Sequence, residues 1–388
     1  MTGTEDRDDL DLVRTSARDL ALRFDLGYWR QKDSREEYPW EFVKAFADAG
    51  WLGAMIPQEF GGLGLGLTES AIMMSEVAAS GAGMSGASAI HFYIFPPAPV
   101  LRHGSAQMKR AWLPKLAKGE ILMAFGVTEP TAGSDTSRIT TRAAKIDGGW
   151  LVNGQKVWTT NGQHAHRILL LARTAPRSAE KPFDGLTLFF TDLDRTRVTV
   201  RAIEKLGRAA VDSNELFIDN LEVPDEDVVG EPGQGFRYLL DGLNPERTVV
   251  GMEGVGIGRA ALGLATRYAG ERVVFDRPIG QNQAVAHPLA DAWIGLEAAE
   301  LMAMKAAARY DARQPCGAES NAAKYLGAEA GFQACDRAMQ TLGGFGYAKE
   351  YHVERYLRES LVGRIAPVTP QLILSFIAEK VLGLPKSY

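Results

Sequence analysis

The chain has little of what would mark several common classes of protein. Two of its 388 residues are cysteines, Cys316 and Cys335, and they form neither a metal-binding cluster nor a disulfide framework. No apolar run approaches the roughly 18 residues that a membrane-spanning helix needs. The acidic, polar first residues are typical of neither a signal peptide nor a transit peptide. We therefore expect no membrane insertion and a location in the reducing cytoplasm.

A large excess of one charge is also missing. The net charge is −5 with both signs dispersed along the chain, so we expect no nucleic-acid partner. The length suits two or three domains with a large core, and 46% hydrophobic residues are ordinary for a soluble globular protein. Because the histidines lack metal-ligand spacing, we expect no metal site and assign structural roles to His91, His103, His164, His166, His287 and His352.

Glycine, in contrast, is abundant, and several of the 41 glycines fall inside segments that otherwise resemble helices, such as "GMEGVGIGRAALGLA" (251–265). Each glycine in a helix interior costs about 1 kcal/mol relative to alanine. The pattern therefore predicts that helices approach one another closely, or that a cofactor lies against the backbone.

The chain divides into three parts by its patterns. Residues 1–122 predict helices, including an amphipathic helix over 9–24, a helix opened by Pro39 and one near 106–118. Residues 123–235 contain short runs rich in Val, Ile, Thr and aromatic residues, which predict an antiparallel β domain. Residues 236–388 again predict long helices. The order lacks the strand–helix alternation of a Rossmann fold and a fixed-period repeat.

Turn signals separate the predicted strands of the middle part. Asn153-Gly154 and Asp184-Gly185 are typical of tight turns, so we expect each to join two strands.

Four motifs carry the chemistry. They are "AFGVTEPTAGSD" (124–135), "GQKVWTTNG" (154–162), "YAGERVVFDRPIGQNQ" (268–283) and "QTLGGFGYAKEYHVER" (340–355). Each alone is weak, because Gly-Ser-Asp is a common turn and a strand Trp usually belongs to the core. In this order and spacing they resemble the acyl-CoA dehydrogenase family over nearly the whole chain. The resemblance implies an α+β multidomain fold with an N-terminal helical domain, a central antiparallel β domain and a C-terminal four-helix bundle. It also implies FAD and a homotetramer.

The resemblance assigns site residues as well. Trp158 would pack on the flavin ring, and the Thr160 hydroxyl would reach its N5 atom. A neighbouring subunit would contribute Arg272, Phe275, Gln283, Gln340, Gly343 and Gly344 to FAD. The remaining FAD contacts would be Val127, Thr128, Gly133, Ser134, Thr369 and Gln371. Substrate contacts would be Ser134, Phe236, Asn244 and Arg247.

The catalytic carboxylate is missing from its usual place. In the family the stretch "RIAPVTPQL" (364–372) commonly reads Ile-x-Glu-Gly-Thr, and the Glu removes a proton from the substrate; here Pro367 replaces it. Some members place the Glu just before an Arg at the start of a C-terminal-domain helix. The stretch "DGLNPERTVV" (241–250) has Glu246 and Arg247 there, so we predict that Glu246 is the base.

Three difficulties accompany this prediction. Asn244 and Pro245 are good first residues for a helix, so Glu246 could simply favour a helix start. A helix N-terminus would also lower the pKa of Glu246, whereas a general base benefits from a raised one. In addition, Pro367 lacks the backbone N–H that helps polarise the thioester in the family, and the sequence does not show its replacement.

The expected function is FAD-dependent α,β-dehydrogenation of an acyl-CoA thioester, with electrons passed to an electron-transfer flavoprotein. Three alternatives stay open: an acyl or aminoacyl group on a carrier protein as substrate, an oxidase that uses oxygen, and a non-catalytic flavin-bearing subunit of a hetero-oligomer. The acyl group cannot be read from the sequence.

Overall fold

The computed structural model describes residues 4–386, so the first three residues of the acidic start lie outside the described part. The N-terminal region is helical, as predicted, although the first helix ends three residues earlier than expected and the second was not foreseen. Its helices are α1 (Thr4–Ala21), α2 (Leu26–Arg35), α3 (Trp40–Asp48), α4 (Leu67–Val77), α5 (Gly83–His91), α6 (Pro97–His103) and α7 (Ala106–Ala117).

Helix α5 lies at the centre of the molecule. All of its residues from Gly83 to His91 are buried. A wide turn, Ala78–Ala82, joins it to α4, and Gly81 has a φ of 108°, which an L side chain rarely adopts. This connection carries His91 into the interior, against the long helix of the C-terminal region.

The middle region forms one sheet of seven strands. The strands are β1 (Met123–Gly126), β2 (Arg142–Ile146), β3 (Gly149–Thr160), β4 (Arg167–Arg173), β5 (Leu186–Asp192), β6 (Val198–Ala202) and β7 (Ser213–Pro224). Most neighbouring pairs are antiparallel, but β4 runs parallel to both β1 and β2. The main order is β1-β4-β2-β3-β7-β6, and β5 pairs with β4 beside it.

The prediction of a turn at Asn153-Gly154 is wrong, because β3 continues through both residues. The register with β7 shifts between Val152 and Gly154, so the dipeptide marks a bulge. A Cβ on Gly154 would lie 2.5 Å from Thr141 Oγ1. Close contact with the residue that precedes β2, rather than chain reversal, therefore explains this glycine.

Long helices form the C-terminal region, and α8 to α11 share one core. The elements are α8 (Gly235–Glu271), a small hairpin of β8 (Val273–Val274) and β9 (Arg277–Pro278), α9 (Gln283–Asp311), α10 (Gly317–Leu342), α11 (Val353–Ile365) and α12 (Pro370–Phe376). The predicted fold class, with helices followed by a sheet and then a helical bundle, is confirmed.

One stretch of the described residues, Val353–Val381, is long and apolar enough to cross a membrane by length and composition alone. The structure divides it, because α11 ends at Ile365 and α12 begins only at Pro370. Helix α11 also buries the ion pair of Arg355 and Glu359, whose atoms lie 3.3 Å apart. The stretch is therefore two helices of different surroundings and not a convincing span.

The glycines of α8 and α10 let the two helices approach closely, as the sequence predicted. A Cβ on Gly327 would lie 2.1 Å from the carbonyl oxygen of Gly251. One turn further, a Cβ on Gly331 would lie 2.3 Å from the oxygen of Gly254. Backbone therefore packs against backbone where these helices meet.

We expect Gly327→Ala to destabilise the protein, because the added methyl group must push the backbone of α8 away. Overpacking typically costs about 1–3 kcal/mol, more than the gain of up to about 1 kcal/mol in helix propensity. Gly263→Ala on α8 is the control, since its Cβ would meet nothing within 4 Å. Urea unfolding should show a lower midpoint for Gly327→Ala only; equal midpoints would contradict the close approach.

Candidate active site

Glu246 is a buried carboxyl group without a hydrogen-bond partner for one of its oxygens. Its exposed fraction is 8%, and Oε2 contacts no donor. Burial raises the pKa of Glu246 to about 7, while the nearby charges of His91 and Arg247 act in the opposite direction. A carboxyl group that titrates near neutral pH and has a free oxygen can accept a proton from a ligand.

The predicted helix start beside Glu246 is wrong. Helix α8 begins at Gly235, so Asn244 is no N-cap and Pro245 lies inside the helix. Pro245 has no N–H, which leaves the helix without one internal hydrogen bond at this turn. Because Glu246 lies about three turns inside the helix, the N-terminal dipole does not act on it. The expected conflict between the helix dipole and the raised pKa that a general base needs therefore disappears, and burial sets the direction of the pKa shift.

Arg247 and the Pro367 segment belong to the same neighbourhood. Arg247 Nη1 donates to Asn244 Oδ1 at 3.1 Å, its Nε is buried without a partner, and burial lowers its pKa. Lys324 of α10 is fully buried and donates from Nζ to the carbonyl oxygen of Val368 at 2.6 Å. Lys324 also lies close enough to Arg247 for the two charges to interact. Lys324 therefore holds the Pro367 segment, which lacks the usual carboxylate, close to Arg247.

The end of β3 presents an exposed aromatic face. The register with β7 shifts between Lys156 and Thr159, and this bulge turns Trp158 outward, with a φ of 60° and an exposed fraction of 59%. Thr160 is buried, and its hydroxyl oxygen accepts a hydrogen bond from Arg208 Nη2 at 3.4 Å. The hydroxyl proton of Thr160 is therefore free to be donated.

The Thr-Glu-Pro motif is held to β3 by a buried ion pair that the sequence analysis missed. Lys156 Nζ lies 3.0 Å from Glu129 Oε1 and also donates to the carbonyl oxygen of Val127 at 3.1 Å. The Thr128 carbonyl oxygen accepts from the N–H of Val157 at 2.9 Å. The motif and "GQKVWTTNG", separate in sequence, therefore form one unit. The alternation of β3 places Lys156 inside, but only the fold reveals its partner.

The other predicted substrate residues lie on α8 and on the loop after the Thr-Glu-Pro motif. Phe236 is half-buried and stacks on Phe183 with ring centroids 4.1 Å apart. Asn244 is half-buried, and its backbone oxygen accepts from the Thr248 hydroxyl. Ser134 is exposed on the loop after the Thr-Glu-Pro motif.

Within residues 4–386, no group of three or more His, Cys, Asp or Glu side chains is arranged to hold a metal ion.

Sequence profiles of known families match almost the entire chain. The N-terminal domain of acyl-CoA dehydrogenase matches residues 7–120, the middle domain matches 124–221, and the C-terminal domain matches 233–382. The chain belongs to the acyl-CoA dehydrogenase family. It is a flavin-dependent oxidoreductase, and FAD is its cofactor.

Individual relatives agree with this assignment. The acyl-CoA dehydrogenase FadE12 of Mycobacterium tuberculosis is 36% identical over 367 residues, which are 93% of this chain and 92% of the relative. A glutaryl-CoA dehydrogenase in complex with glutaryl-CoA superposes with a TM-score of 0.91 at 31% identity, over 100% of this chain and 97% of the other. An FAD complex of PigA superposes with a TM-score of 0.91 at 26% identity, over 97% and 98%.

The surface of this acyl-CoA dehydrogenase is compatible with FAD. The flat indole of Trp158 offers an apolar face to a ring system. A Cβ on Gly133, Gly343 or Gly344 would meet nothing within 4 Å, so a phosphate could approach the backbone there. Thr369 has a structural task as well, because its hydroxyl caps α12 by accepting from the N–H of Leu372 at 3.3 Å; Gln371 is exposed beside it.

Apart from Thr369 and Gln371 at the start of α12, the predicted FAD residues fall into two separate groups. The first lies around β3 and the Thr-Glu-Pro motif. The second begins just after the far end of α8. From Glu246 to Arg272 the helix rises about 39 Å at 1.5 Å per residue. The members of this distant group are all exposed, and they are Arg272, Phe275, Gln283, Gln340, Gly343 and Gly344.

Proposed function

We propose that the protein dehydrogenates an acyl-CoA thioester between its α- and β-carbons, with Glu246 as the base that removes the α-proton. The observation that carries this proposal is the buried Glu246 carboxyl group, which has an unpartnered oxygen and a pKa of about 7. Pro367 cannot supply a base in the usual place. Membership of the family supports an acyl-CoA as the substrate class.

The residues of this chain divide the work. Glu246 takes the α-proton; because its pKa lies near neutral, a substantial fraction is ionised at pH 7 and it still binds the proton well. FAD, when bound, supplies the acceptor for the two electrons that leave the β-carbon. Arg247 is the cation next to the base, and its buried, unpartnered Nε faces no competing protein acceptor. Lys324 keeps the Pro367 segment in place through Val368.

The group around β3 would hold the flavin ring. Trp158 would pack on the ring, and Thr160, which already accepts from Arg208, would have its proton left for a ring acceptor. Val127 and Thr128 would line the polar edge of the ring, and Gly133 and Ser134 would adjoin the phosphates or the pantetheine arm.

We expect Trp158→Ala to weaken FAD binding about tenfold, because aromatic stacking contributes about 0.5–1.5 kcal/mol beyond the buried area. Trp158 is 59% exposed, so its removal leaves no core cavity and the unfolding midpoint of the FAD-free protein should not change. Trp40→Ala, 46% exposed on α3, is the control. The ratio of flavin to protein absorbance after dialysis measures the effect, and equal ratios in both variants would remove Trp158 from the site.

A second copy of the chain completes the FAD site in this proposal. The distance of about 39 Å along α8 separates the distant group from Glu246 in one chain. Apolar side chains that lie open on α9 and the hairpin are available for packing against a copy: Phe275, Trp293, Ile294 and Leu301. The assembly is a homotetramer, by resemblance to the family. An electron-transfer flavoprotein as acceptor rests on the same resemblance. The proposed cytoplasmic location and the domain boundaries of 1–122, 123–235 and 236–388 rest on the sequence patterns.

Purified protein tests the proposed function directly. The protein should be yellow, and a panel of straight, branched, dicarboxylic and aromatic acyl-CoAs should be mixed with it without oxygen. Bleaching of the flavin by at least one thioester is expected, with the enoyl-CoA as product. Failure of every thioester, with bound FAD still reducible by dithionite, would favour a carrier-bound substrate or a non-catalytic subunit.

A further inference from the structure

A buried ion pair lies beside Glu246 and has no role in the proposed reaction. His91 Nδ1 of α5 lies 2.8 Å from Glu253 Oε1 of α8, with exposed fractions of 6% and 1% for the two residues. Burial lowers the pKa of His91, but the Glu253 carboxylate outweighs it, so that the pKa is raised overall.

The pair and the base share one face of α8. Glu253 follows Glu246 by seven residues, which is two helical turns, so both side chains point to the same side. Helix α5 and the chain after it pack on that side of α8. A Cβ on Gly242 would lie 3.4 Å from the backbone oxygen of Phe95, and the ring centroids of His91 and Phe95 are 4.8 Å apart. His91 and Glu253 are both among the charges that act on Glu246.

Stability does not explain such a pair. Removing two charges from water costs several kcal/mol per ion, and apolar residues of similar volume are often as stable or more stable. A buried pair next to a titrating carboxyl group is therefore better explained by its electrostatic effect. The electrostatic effect of the pair on Glu246 increases as the distance between them falls. It is strong in the protein interior, because the interior screens charges weakly.

We propose that the His91–Glu253 pair sets the proton affinity of Glu246, so that both act as positioning residues for the proposed reaction. This inference rests on the proposed function of Glu246. The protonated imidazole stabilises the ionised base and keeps its pKa from rising further in the apolar interior. Glu253 holds the imidazole protonated, and its own charge opposes ionisation of Glu246. The pair is neutral as a whole, and its cation and anion act on Glu246 with opposite signs.

Other charged groups lie on the elements packed against α8, and most of them already form ion pairs or hydrogen bonds with one another. Arg208, which bonds Thr160, acts on His91 and lowers its pKa. The groups on the elements packed against α8 are Glu76 with Arg14 and Arg18 (α4), His103 with Asp241 (α6), Glu297 and Glu300 with Arg259 (α9), Lys324 (α10), and Arg355 with Glu359 (α11).

The test removes the cation while keeping a hydrogen bond. His91→Gln can still donate to Glu253 but leaves two buried carboxyl groups without their shared cation, so the pKa of Glu246 should rise. Charges at close range shift a pKa by about 1–3 units, and we expect a shift of at least about one unit. His91→Gln/Glu253→Gln removes both charges and should bring the pKa back toward that of the wild type.

A matched control is the pair of His103 and Asp241, because Asp241 also lies on α8. His103 lies 2.5 Å from Asp241 of α8, but this pair is not among the charges that act on Glu246. His103→Gln should therefore leave the titration of Glu246 unchanged. Thermal melting of all variants identifies any loss of folding that is independent of titration.

Two readouts separate this inference from the function on which it rests. Infrared difference spectra of the substrate-free holoenzyme between pH 5 and 9 report the protonated carboxyl band, and the band lost in Glu246→Gln belongs to Glu246. The pH profile of flavin reduction reports the base in the reaction, and its acid limb should move upward with the band.

The inference is overturned if the Glu246 band in His91→Gln titrates within about 0.3 pH units of the wild type. The His91–Glu253 pair would then have a structural role only. The proposed function fails separately, if the band shifts as expected while Glu246→Gln still reduces its flavin at the wild-type rate.

Discussion

Glu246→Gln should bind FAD and acyl-CoA but reduce its flavin several orders of magnitude more slowly than the wild type. The amide keeps the shape of the side chain and loses its basicity. A positioned general base typically contributes about 10²–10⁴-fold, and here no carboxylate at position 367 can substitute. The carboxyl group is buried and its Oε2 atom is unpartnered, so the replacement breaks no protein hydrogen bond at Oε2.

Anaerobic stopped-flow mixing with a thioester that bleaches the wild type isolates this step. Glu222→Gln, an exposed residue on β7, is the isosteric control and should bleach at the wild-type rate. Arg247→Ala should weaken substrate binding more than it slows proton removal. A Glu246→Gln variant that bleaches at nearly the wild-type rate would show that the base lies elsewhere.

The same variant has a stability readout that needs no substrate. The native pKa of Glu246, about 7, is above its ordinary value of 4.5, so the native state holds a proton that the unfolded chain releases between these pH values. The contribution of Glu246 to stability is therefore present below pH 4.5 and is lost as the pH rises through 7. Glu246→Gln should be more stable than the wild type at pH 8, by up to about 3 kcal/mol, and no more stable near pH 4.5.

Lys156→Met should cost about 3–5 kcal/mol, because it leaves the Glu129 carboxylate buried without its cation. Burial would raise the pKa of Glu129, but the Lys156 charge and the hydrogen bonds from Thr140 and Thr141 reverse this and lower it to about 2. The Val127 carbonyl oxygen also loses its donor, so the Thr-Glu-Pro motif should loosen and FAD retention should fall.

Urea unfolding and the flavin-to-protein ratio measure both effects. Lys145→Met on β2 is the matched control, because Lys145 pairs with Asp225 on the surface, where each side chain is 52% exposed. Exposed pairs contribute about 0–1 kcal/mol, so that variant should be close to the wild type. Lys156→Met/Glu129→Gln should recover part of the loss. Equal stability of Lys156→Met and the control would mean that the buried pair is dispensable.

Much of the fold followed from local patterns. The three-part order of helices, strands and helices is visible in the periodicity of apolar residues, which depends only on neighbours along the chain. The glycines of α8 predicted close helix contact, and the contact of Gly251 with Gly327 bears this out. The family motifs likewise gave the family and its cofactor. Local signals failed where two outcomes look alike over a few residues, as with Asn153-Gly154, where a bulge and a turn have the same sequence.

By itself, the sequence determined the family and the order of the domains, and it predicted that Glu246 replaces the missing carboxylate. The tertiary structure decided the environment of that residue. Pro245 looked like a helix start, and only the continuous α8 shows that it is not. His91 and Glu253 are 162 positions apart, and a separation of that size does not indicate a contact. Only the packing of α5 on α8 brings the two side chains together. A pKa depends on burial and on charges a few ångströms away, and these are properties of the packed interior, not of the local sequence.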